Sequence, residues 1–105
     1  MKVISIKHKK EIDNIFSKKA FSIYNENVKL RAVKTDADTK FMLSIPNAKL
    51  PKAVDRNRVK RVMREVLRKS GFKNGYDVAL IYNVHTVLSY SDIEKSVLFL
   101  INKLK

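Results

Sequence analysis

The sequence predicts an α+β fold, a two-layer α/β sandwich with helices on a small mixed sheet, in the order α-β-β-β-α-β-α. Residues 28–33 alternate between apolar and mainly charged side chains, which is typical of a half-covered strand. Residues 77–82 form a nearly continuous apolar run, as expected of a central strand. Apolar residues recur with a helical period in 59–67 and again in 93–104.

The N-terminal half predicts one helix followed by three strands. Ile12, Ile15 and Phe16 form a short helical stripe within residues 7–18. The strands are predicted at 20–24, 28–33 and 40–45. Polar segments at 25–27 and 35–39 predict the turns between them. In the second strand, Val28, Leu30 and Ala32 are expected to face the core, with Lys29 and Arg31 on the other side.

The C-terminal half predicts a helix, a strand and a final helix. The first helix runs from Ala53 to Lys69, and Gly71 is placed to supply a left-handed cap after it. A strand follows at 77–82. Residues 91–94, Ser-Asp-Ile-Glu, have the spacing of a capping box and predict the start of the last helix. No repeat, linker or composition shift divides the chain, so we expect residues 1–105 to form a single domain.

Charge is the most unusual property of the composition. The 105 residues carry a formal net charge of +13, with 45% hydrophobic residues and only two Gly and two Pro. Such a composition is that of a folded domain, and so large an excess of one charge indicates a polyanionic partner. The segment from Lys49 to Lys73 holds ten Lys and Arg against Asp55 and Glu65, a net charge of +8.

Several classes of protein are disfavoured by what the sequence lacks. It contains no cysteine, so it has no disulfide framework, thiolate nucleophile or cysteine-based zinc site. Its N-terminus lacks the apolar run of a signal peptide, and no apolar stretch approaches the ~20 residues that span a bilayer. The apolar side of the basic helix lacks Trp and Phe, which argues against a membrane-surface helix. We therefore expect a cytoplasmic protein with no membrane partner.

The basic helix is the strongest functional signal. Val59, Val62, Met63, Val66 and Leu67 form one apolar stripe, and the side almost opposite carries a polar row: Asn57, Arg61, Arg64 and Arg68. Guanidinium forks match the geometry of phosphates, and most of the cations here are arginines. Asp55 lies in the first turn and Glu65 is the one interior acid, so six cations lack the regular i,i+4 pairing of an ordinary surface helix: Arg56, Arg58, Lys60, Arg61, Arg64 and Arg68. This face is predicted to bind RNA.

The run Ala53-Val54-Asp55-Arg56-Asn57-Arg58-Val59-Lys60-Arg61, continuing to Arg64-Glu65, resembles the Arg-Asn-Arg motif of the bacterial ribonuclease P protein subunit. The resemblance extends over nearly the whole chain. The Ile15-Phe16 helix, the strands at 41–44 and 77–81 and the final helix fall where that family has them. The resemblance implies the fold of the second domain of ribosomal protein S5, with an unusual left-handed β-α-β crossover around the basic helix; most such crossovers are right-handed.

The resemblance also implies a function. The partner is the catalytic RNA of ribonuclease P and the substrate is precursor tRNA, whose 5′ leader is released by hydrolysis. The RNA holds the catalytic Mg²⁺, so the protein is expected to carry no catalytic residue and no metal ligand of its own. No obligate protein partner is evident.

The residues expected to contact RNA lie in the basic helix and its approach: Arg56, Asn57, Arg58, Lys60, Arg61, Arg64, Arg68, Lys52 and Lys49. Arg56 lies toward the apolar side, so part of its role is expected to be structural. The resemblance places the leader in a cleft beside the sheet, with candidate contacts Phe16, Lys29, Arg31 and Tyr24. Tyr24 and Tyr82 are open to two interpretations, stacking on bases or burial at strand ends.

Three other functions are alternatives to this interpretation: two are binding functions and one is catalytic. A small ribosomal or ribosome-assembly protein would share the charge, size and fold class. A DNA-binding protein would place the basic helix in a major groove, but the strand-rich pattern lacks the partner helix of a helix-turn-helix. A protein-only ribonuclease would need His8 and His85 to meet as acid and base, and nothing in the sequence indicates that they do.

Overall fold

The computed structural model describes residues 20–71 and 74–104 of the chain. They form the following elements in chain order: β1 (Phe21–Tyr24), β2 (Val28–Asp38), β3 (Phe41–Ser44), α1 (Ala53–Ser70), β4 (Asn74–Tyr82) and α2 (Tyr90–Asn102). The helix predicted over 7–18, which includes Phe16, lies outside the described residues. The six described elements follow the predicted order.

The four strands form one mixed sheet in the order β1-β2-β4-β3. β2 pairs antiparallel with both β1 and β4, whereas β3 and β4 are parallel neighbours. The chain passes from β3 to β4 through α1, so these elements form the β-α-β unit that the resemblance implies. The predicted α+β class with a small mixed sheet is confirmed, and the left hand of the crossover stays a prediction.

Both helices contribute to a core on one face of the sheet. Val28, Leu30 and Ala32 have no exposed surface, as their alternation predicts. The same cluster contains Val59, Met63, Val66 and Leu67 from α1 and Ile93, Val97, Leu100 and Ile101 from α2. The helices therefore form one layer and the sheet the other, and the opposite face of the sheet carries the alternate residues of each strand. We call that opposite face the outer sheet face.

The predicted turn at 25–27 forms the β1–β2 hairpin and also ties it to α2. The Oδ1 of Asn25 accepts hydrogen bonds from the backbone N–H groups of Asn27 and Val28, both at 2.9 Å. The side-chain amides of Asn25 and Asn27 donate to the carbonyl oxygen and hydroxyl of Ser96, respectively. An Asx-type turn of this kind satisfies its own backbone groups locally, which leaves the two amides free to fix the hairpin against the helix.

The end of α1 follows the sequence prediction. Gly71 adopts φ 69° and ψ 10°, the left-handed conformation that terminates helices and that residues with a Cβ rarely adopt.

Three predicted boundaries are wrong: the end of β2, the start of β4, which was predicted at residue 77, and the cap of α2. β2 continues to Asp38, through the segment predicted as a polar turn, because the longer β4 begins at Asn74 and pairs with Asp38 beyond an irregularity in register. The cap of α2 is Ser89, not Ser91, since the Ser89 hydroxyl accepts the backbone N–H of Asp92 at 3.2 Å. These errors arise because side-chain patterns do not report where backbone groups find partners.

Tyr82, the last residue of β4, is buried and anchors the loop that leads to α2. Its hydroxyl donates to the carbonyl oxygen of Thr86 at 2.6 Å and accepts the N–H of Leu88 at 3.0 Å. Of the two interpretations of this residue, burial is therefore correct. Burial raises the pKa of the Tyr82 phenol above its ordinary 10.0, and the bond from Leu88 opposes the shift in part.

We expect Tyr82→Phe to lower the free energy of unfolding by about 1–2 kcal/mol near neutral pH, since it removes both hydrogen bonds. A raised folded-state pKa stabilises the protein below the unfolded value of 10.0 and loses that effect as pH rises through the folded value. The advantage of wild type over Tyr82→Phe should therefore shrink above about pH 10 in urea unfolding experiments. Tyr24→Phe, at a tyrosine that is 73% exposed, is the control and should stay within about 0.5 kcal/mol of wild type. A constant Tyr82→Phe difference across this pH range would contradict the prediction.

Candidate nucleic-acid interface

The outer side of α1 presents a row of cations to solvent. Asn57, Arg61, Arg64 and Arg68 are all exposed, while Val59, Met63, Val66 and Leu67 on the opposite side are buried. We call the four exposed residues the cationic face of α1. Because docking of the apolar stripe fixes the rotation of the helix, it also fixes the direction in which these three guanidinium groups point. The division between the two sides was predicted from sequence.

The flanking cations of the predicted set differ in exposure. Arg58 and Lys52 are exposed, whereas Lys60 and Lys49 are partly covered. Lys52 is also the N-terminal cap residue of α1, in an extended conformation with φ −82° and ψ 127°. The cations therefore continue from the helix into the connector that precedes it.

Arg56 is held by the protein itself. Its Nη1 donates to the carbonyl oxygens of Leu50 and Pro51, at 2.9 and 2.7 Å. These bonds clamp the connector between β3 and α1 onto the first turn of the helix, while Leu50 is buried in the core. The structural part of the role expected of Arg56 is therefore to hold this connector. The exposed cationic face begins at Asn57, the next residue.

Lys69 is also engaged within the fold, at the other end of α1. Its Nζ lies 3.5 Å from Oε1 of Glu65 and donates to the Tyr90 hydroxyl at 3.1 Å. The hydrogen bond and the electrostatic interaction with Tyr90, and then the charge of Glu65, hold the pKa of Lys69 above its ordinary 10.5. This cation joins the end of α1 to the start of α2, which distinguishes it from Arg68 beside it.

The outer sheet face gathers three of the four leader-cleft candidates. In the register of β1 and β2, Tyr24 lies opposite Lys29 and Ser22 opposite Arg31, so each pair shares a side of the sheet. Tyr24 and Lys29 are exposed, and Nη1 of Arg31 donates to the Ser22 hydroxyl at 2.9 Å. An aromatic ring and two cations thus lie along one edge of this face. The fourth candidate, Phe16, lies outside the described residues.

Sequence reasoning missed the apolar centre of the same face. Ala79 of β4 is buried and packs with Val33 of β2 and Met42 of β3. The register that pairs Met42 with Ala79 brings these residues together across neighbouring strands. Their positions could be derived only once strand order was known, because β3 and β4 are far apart in the chain.

The described residues contain no cluster of side chains that could hold a metal ion, and the pairing of His8 with His85 is not among the contacts they can show. Within 20–71 and 74–104, no three His, Asp or Glu side chains are grouped so as to hold a metal ion. His85 contacts Lys49, with Nε2 3.4 Å from Nζ, and His8 lies outside the described residues. In the same part of the chain, no helix has the length and apolar character needed to cross a membrane.

Comparison with known families and sequences gives a consistent result. The family described as Ribonuclease P matches residues 1–105. A ribonuclease P protein component of Finegoldia magna is 32% identical over 93 residues, which are 86% of this chain and 81% of that protein. A ribonuclease P protein component of Dehalococcoides mccartyi is 32% identical over 75 residues, 70% of this chain and 62% of that protein.

Solved structures show the same fold. The Staphylococcus aureus RNase P protein superimposes with a TM-score of 0.85 at 20% identity, over 99% of this chain and 97% of that one. The Thermotoga maritima RNase P protein gives a TM-score of 0.82 at 21% identity, over 96% and 97%. The family match over residues 1–105 and the 32% identity to the Finegoldia magna protein confirm the family resemblance drawn from the Arg-Asn-Arg segment.

We expect Arg56→Ala to lower the free energy of unfolding by about 1 kcal/mol or more, because two carbonyl groups lose a charged donor. Arg58→Ala removes the same charge from an exposed neighbour and should change stability by less than about 0.5 kcal/mol. Urea unfolding of both variants measures the difference. Equal stabilities for the two would show that the clamp on the connector does not hold in solution.

Proposed function

The chain belongs to the ribonuclease P protein family, and we propose that it binds the catalytic RNA of that enzyme through the cationic face of α1. Its activity is that of a subunit: it assists the endonucleolytic removal of the 5′ leader from precursor tRNA as part of the holoenzyme. The ribosomal alternative is not favoured, because the family match spans residues 1–105.

One observation carries the assignment of the RNA-binding surface. Arg61, Arg64 and Arg68 are exposed in a row on a helix whose rotation is fixed by its buried side. Three guanidinium groups without matching carboxylates repel one another, and a row of phosphates relieves that repulsion. Asn57 adds an amide that can donate to phosphate or to a base edge. Arg58, Lys60, Lys52 and Lys49 extend the same surface.

We assign the 5′ leader of precursor tRNA to the outer sheet face. Single-stranded RNA binds best where cations follow its backbone and aromatic or apolar side chains accept its bases. Along β1 and β2, Lys29 and Arg31 supply the cations and Tyr24 supplies the aromatic ring. The cluster around Ala79 supplies apolar surface. Arg31 is already tied to Ser22, so Lys29 and Tyr24 are the freer contacts.

We propose that the Mg²⁺ implied by the family resemblance is held mainly by the RNA. Mg²⁺ takes oxygen ligands, often phosphates and waters with one or two carboxylates, and RNA supplies phosphates in abundance. The cationic face would repel a divalent cation. We therefore place the metal ions, and the catalytic groups, on the RNA. The protein contributes by neutralising phosphates, which lowers repulsion between the RNA and its substrate.

The protein's part in the reaction is then one of binding and orientation. Contacts to the leader add affinity for precursor tRNA that the mature product lacks, so substrate is favoured over product. We place this activity in the cytoplasm, where precursor tRNA of a bacterial cell is processed, and the absence of cysteine suits a reducing compartment.

We expect Arg61→Ala/Arg64→Ala/Arg68→Ala to abolish most of the stimulation that the wild-type protein gives to ribonuclease P RNA at low Mg²⁺. The log–log dependence of RNA affinity on salt should also become shallower, by about 0.7 to 0.9 for each phosphate that the variant no longer neutralises. Cleavage of a precursor tRNA and binding to the RNA are measured across a salt series.

Lys34→Ala/Lys95→Ala/Lys103→Ala is the control for this variant. It removes the same number of charges from exposed positions outside α1. We expect it to retain stimulation and a salt slope close to wild type. If both triple variants lose stimulation equally, net charge and not the cationic face explains the effect. A wild-type protein that binds the RNA without stimulating cleavage would overturn the function itself.

We expect Tyr24→Ala to weaken binding of precursor tRNA by the holoenzyme about fivefold, the lower end for removal of one base-stacking interaction. Lys29→Ala should also weaken it, because the variant lacks the ammonium group that pairs with a leader phosphate. Binding of mature tRNA, which has no leader, should not change in either variant. Lys34→Ala, on the same strand but on the helix side by alternation, is the matched control for Lys29. Equal losses of affinity for precursor and mature tRNA would show that the leader does not bind to this face.

A further inference from the structure

One end of the sheet brings together two segments that are far apart in the chain. β3 and β4 are parallel neighbours, so their carboxyl ends lie at the same edge of the sheet. The connector at 45–52 leaves β3 there and leads to α1, and the loop at 83–89 leaves β4 there and leads to α2. The connector carries Lys49 and Lys52, two of the proposed RNA contacts, whereas the loop has no proposed role.

The loop after β4 is held in one conformation by buried contacts. The Tyr82 hydroxyl bonds to both Thr86 and Leu88, and the N–H of Asn83 donates to the carbonyl oxygen of Asn27 at 2.9 Å. Val84, Val87 and Leu88 are partly buried and pack against the core. A loop fixed in this way presents its remaining side chains with little loss of conformational entropy on binding.

The exposed side chains of this loop all carry hydrogen-bonding groups: Asn83, His85, Thr86 and Ser89, of which Ser89 caps α2. Lys49 reaches across from the connector, and its Nζ lies 3.4 Å from Nε2 of His85. Neither the connector at 45–52 nor the loop at 83–89 contains an Asp or a Glu. The acids of the adjoining segments are Glu26 in the β1–β2 turn, Asp55 in the first turn of α1 and Asp92 in the first turn of α2.

From this arrangement we propose that Lys49 and His85 together bind a backbone phosphate of the catalytic RNA, as a second contact on an element outside α1. When Nε2 accepts a proton from the ammonium group, Nδ1 carries the ring proton and is a donor. Two further N–H groups of Lys49 remain available. The pair therefore offers donors from two directions to one anion, and this inference rests on the proposed function of the chain as an RNA-binding subunit.

A purely structural role explains this contact less well. The loop is already fixed by Tyr82 from inside the protein, and the contact between Lys49 and His85 is exposed. Exposed polar contacts between side chains contribute little to stability. Lys49 lies three residues before Lys52, the cap of α1, so a phosphate bound here can belong to the same RNA that contacts the helix.

The test measures affinity of the full-length protein for ribonuclease P RNA. Lys49→Ala and His85→Ala should each weaken binding about three- to tenfold, as expected when one hydrogen bond to a phosphate is removed. His85→Lys should restore affinity because it places a donor at the same position. Thermal unfolding of each variant should stay close to wild type. Lys95→Ala, at an exposed lysine of α2, should leave affinity unchanged.

The other outcomes each overturn a defined statement. If His85→Ala and His85→Lys both bind RNA as wild type does, the second contact is absent, while weaker binding by Arg61→Ala/Arg64→Ala/Arg68→Ala still supports the proposed function. If that triple variant also binds normally, the proposed function fails with it. Thermal unfolding with inorganic phosphate at constant ionic strength tests whether the site takes a free anion. If phosphate stabilises wild type but not His85→Ala, and His85→Ala binds RNA as wild type does, the occupant is free phosphate. The assignment of this site to RNA is then wrong.

Discussion

Burial of one side of α1 against the sheet is the constraint on which the rest of this structure depends. Val59, Met63, Val66 and Leu67 lose nearly all their exposure to water in the shared core. At about 25 cal/mol per Å² of apolar surface, this burial stabilises the fold far more than any single surface contact does. Since the helix is rigid, the same docking directs Arg61, Arg64 and Arg68 outward, and repulsion among them has to be tolerated in the free protein.

The ends of α1 are fixed by cations that do not belong to the exposed row. Arg56 clamps the connector to the first turn, and Lys69 joins the last turn to Tyr90 of α2. One helix therefore uses the same residue types for two purposes. Cations near its ends satisfy carbonyl, carboxylate and hydroxyl groups of the protein, and cations on its outer side remain available for phosphates.

The two faces proposed for RNA arise from the same layered arrangement. Because both helices cover one side of the sheet, the other side is left with the alternate residues of β1 and β2, including Tyr24, Lys29 and Arg31. The exposed side of the helix layer and the outer sheet face are consequently separate surfaces of one small protein. This separation provides two surfaces, as the proposed binding of two RNAs requires.

The sequence by itself determined the class of fold, the buried side of each described helix, the left-handed end of α1 at Gly71 and the family. These features depend on periodicity, local conformation and one ordered motif, all of which are local in the chain. Only the tertiary structure decided that β2 extends to Asp38, that Ser89 caps α2, that Tyr82 is buried, and that Lys49 meets His85. The extent of β2, the burial of Tyr82 and the contact between Lys49 and His85 depend on neighbours that are distant in sequence. The cap of α2 depends on a choice between two nearby serine hydroxyl groups, which the side-chain pattern alone does not make.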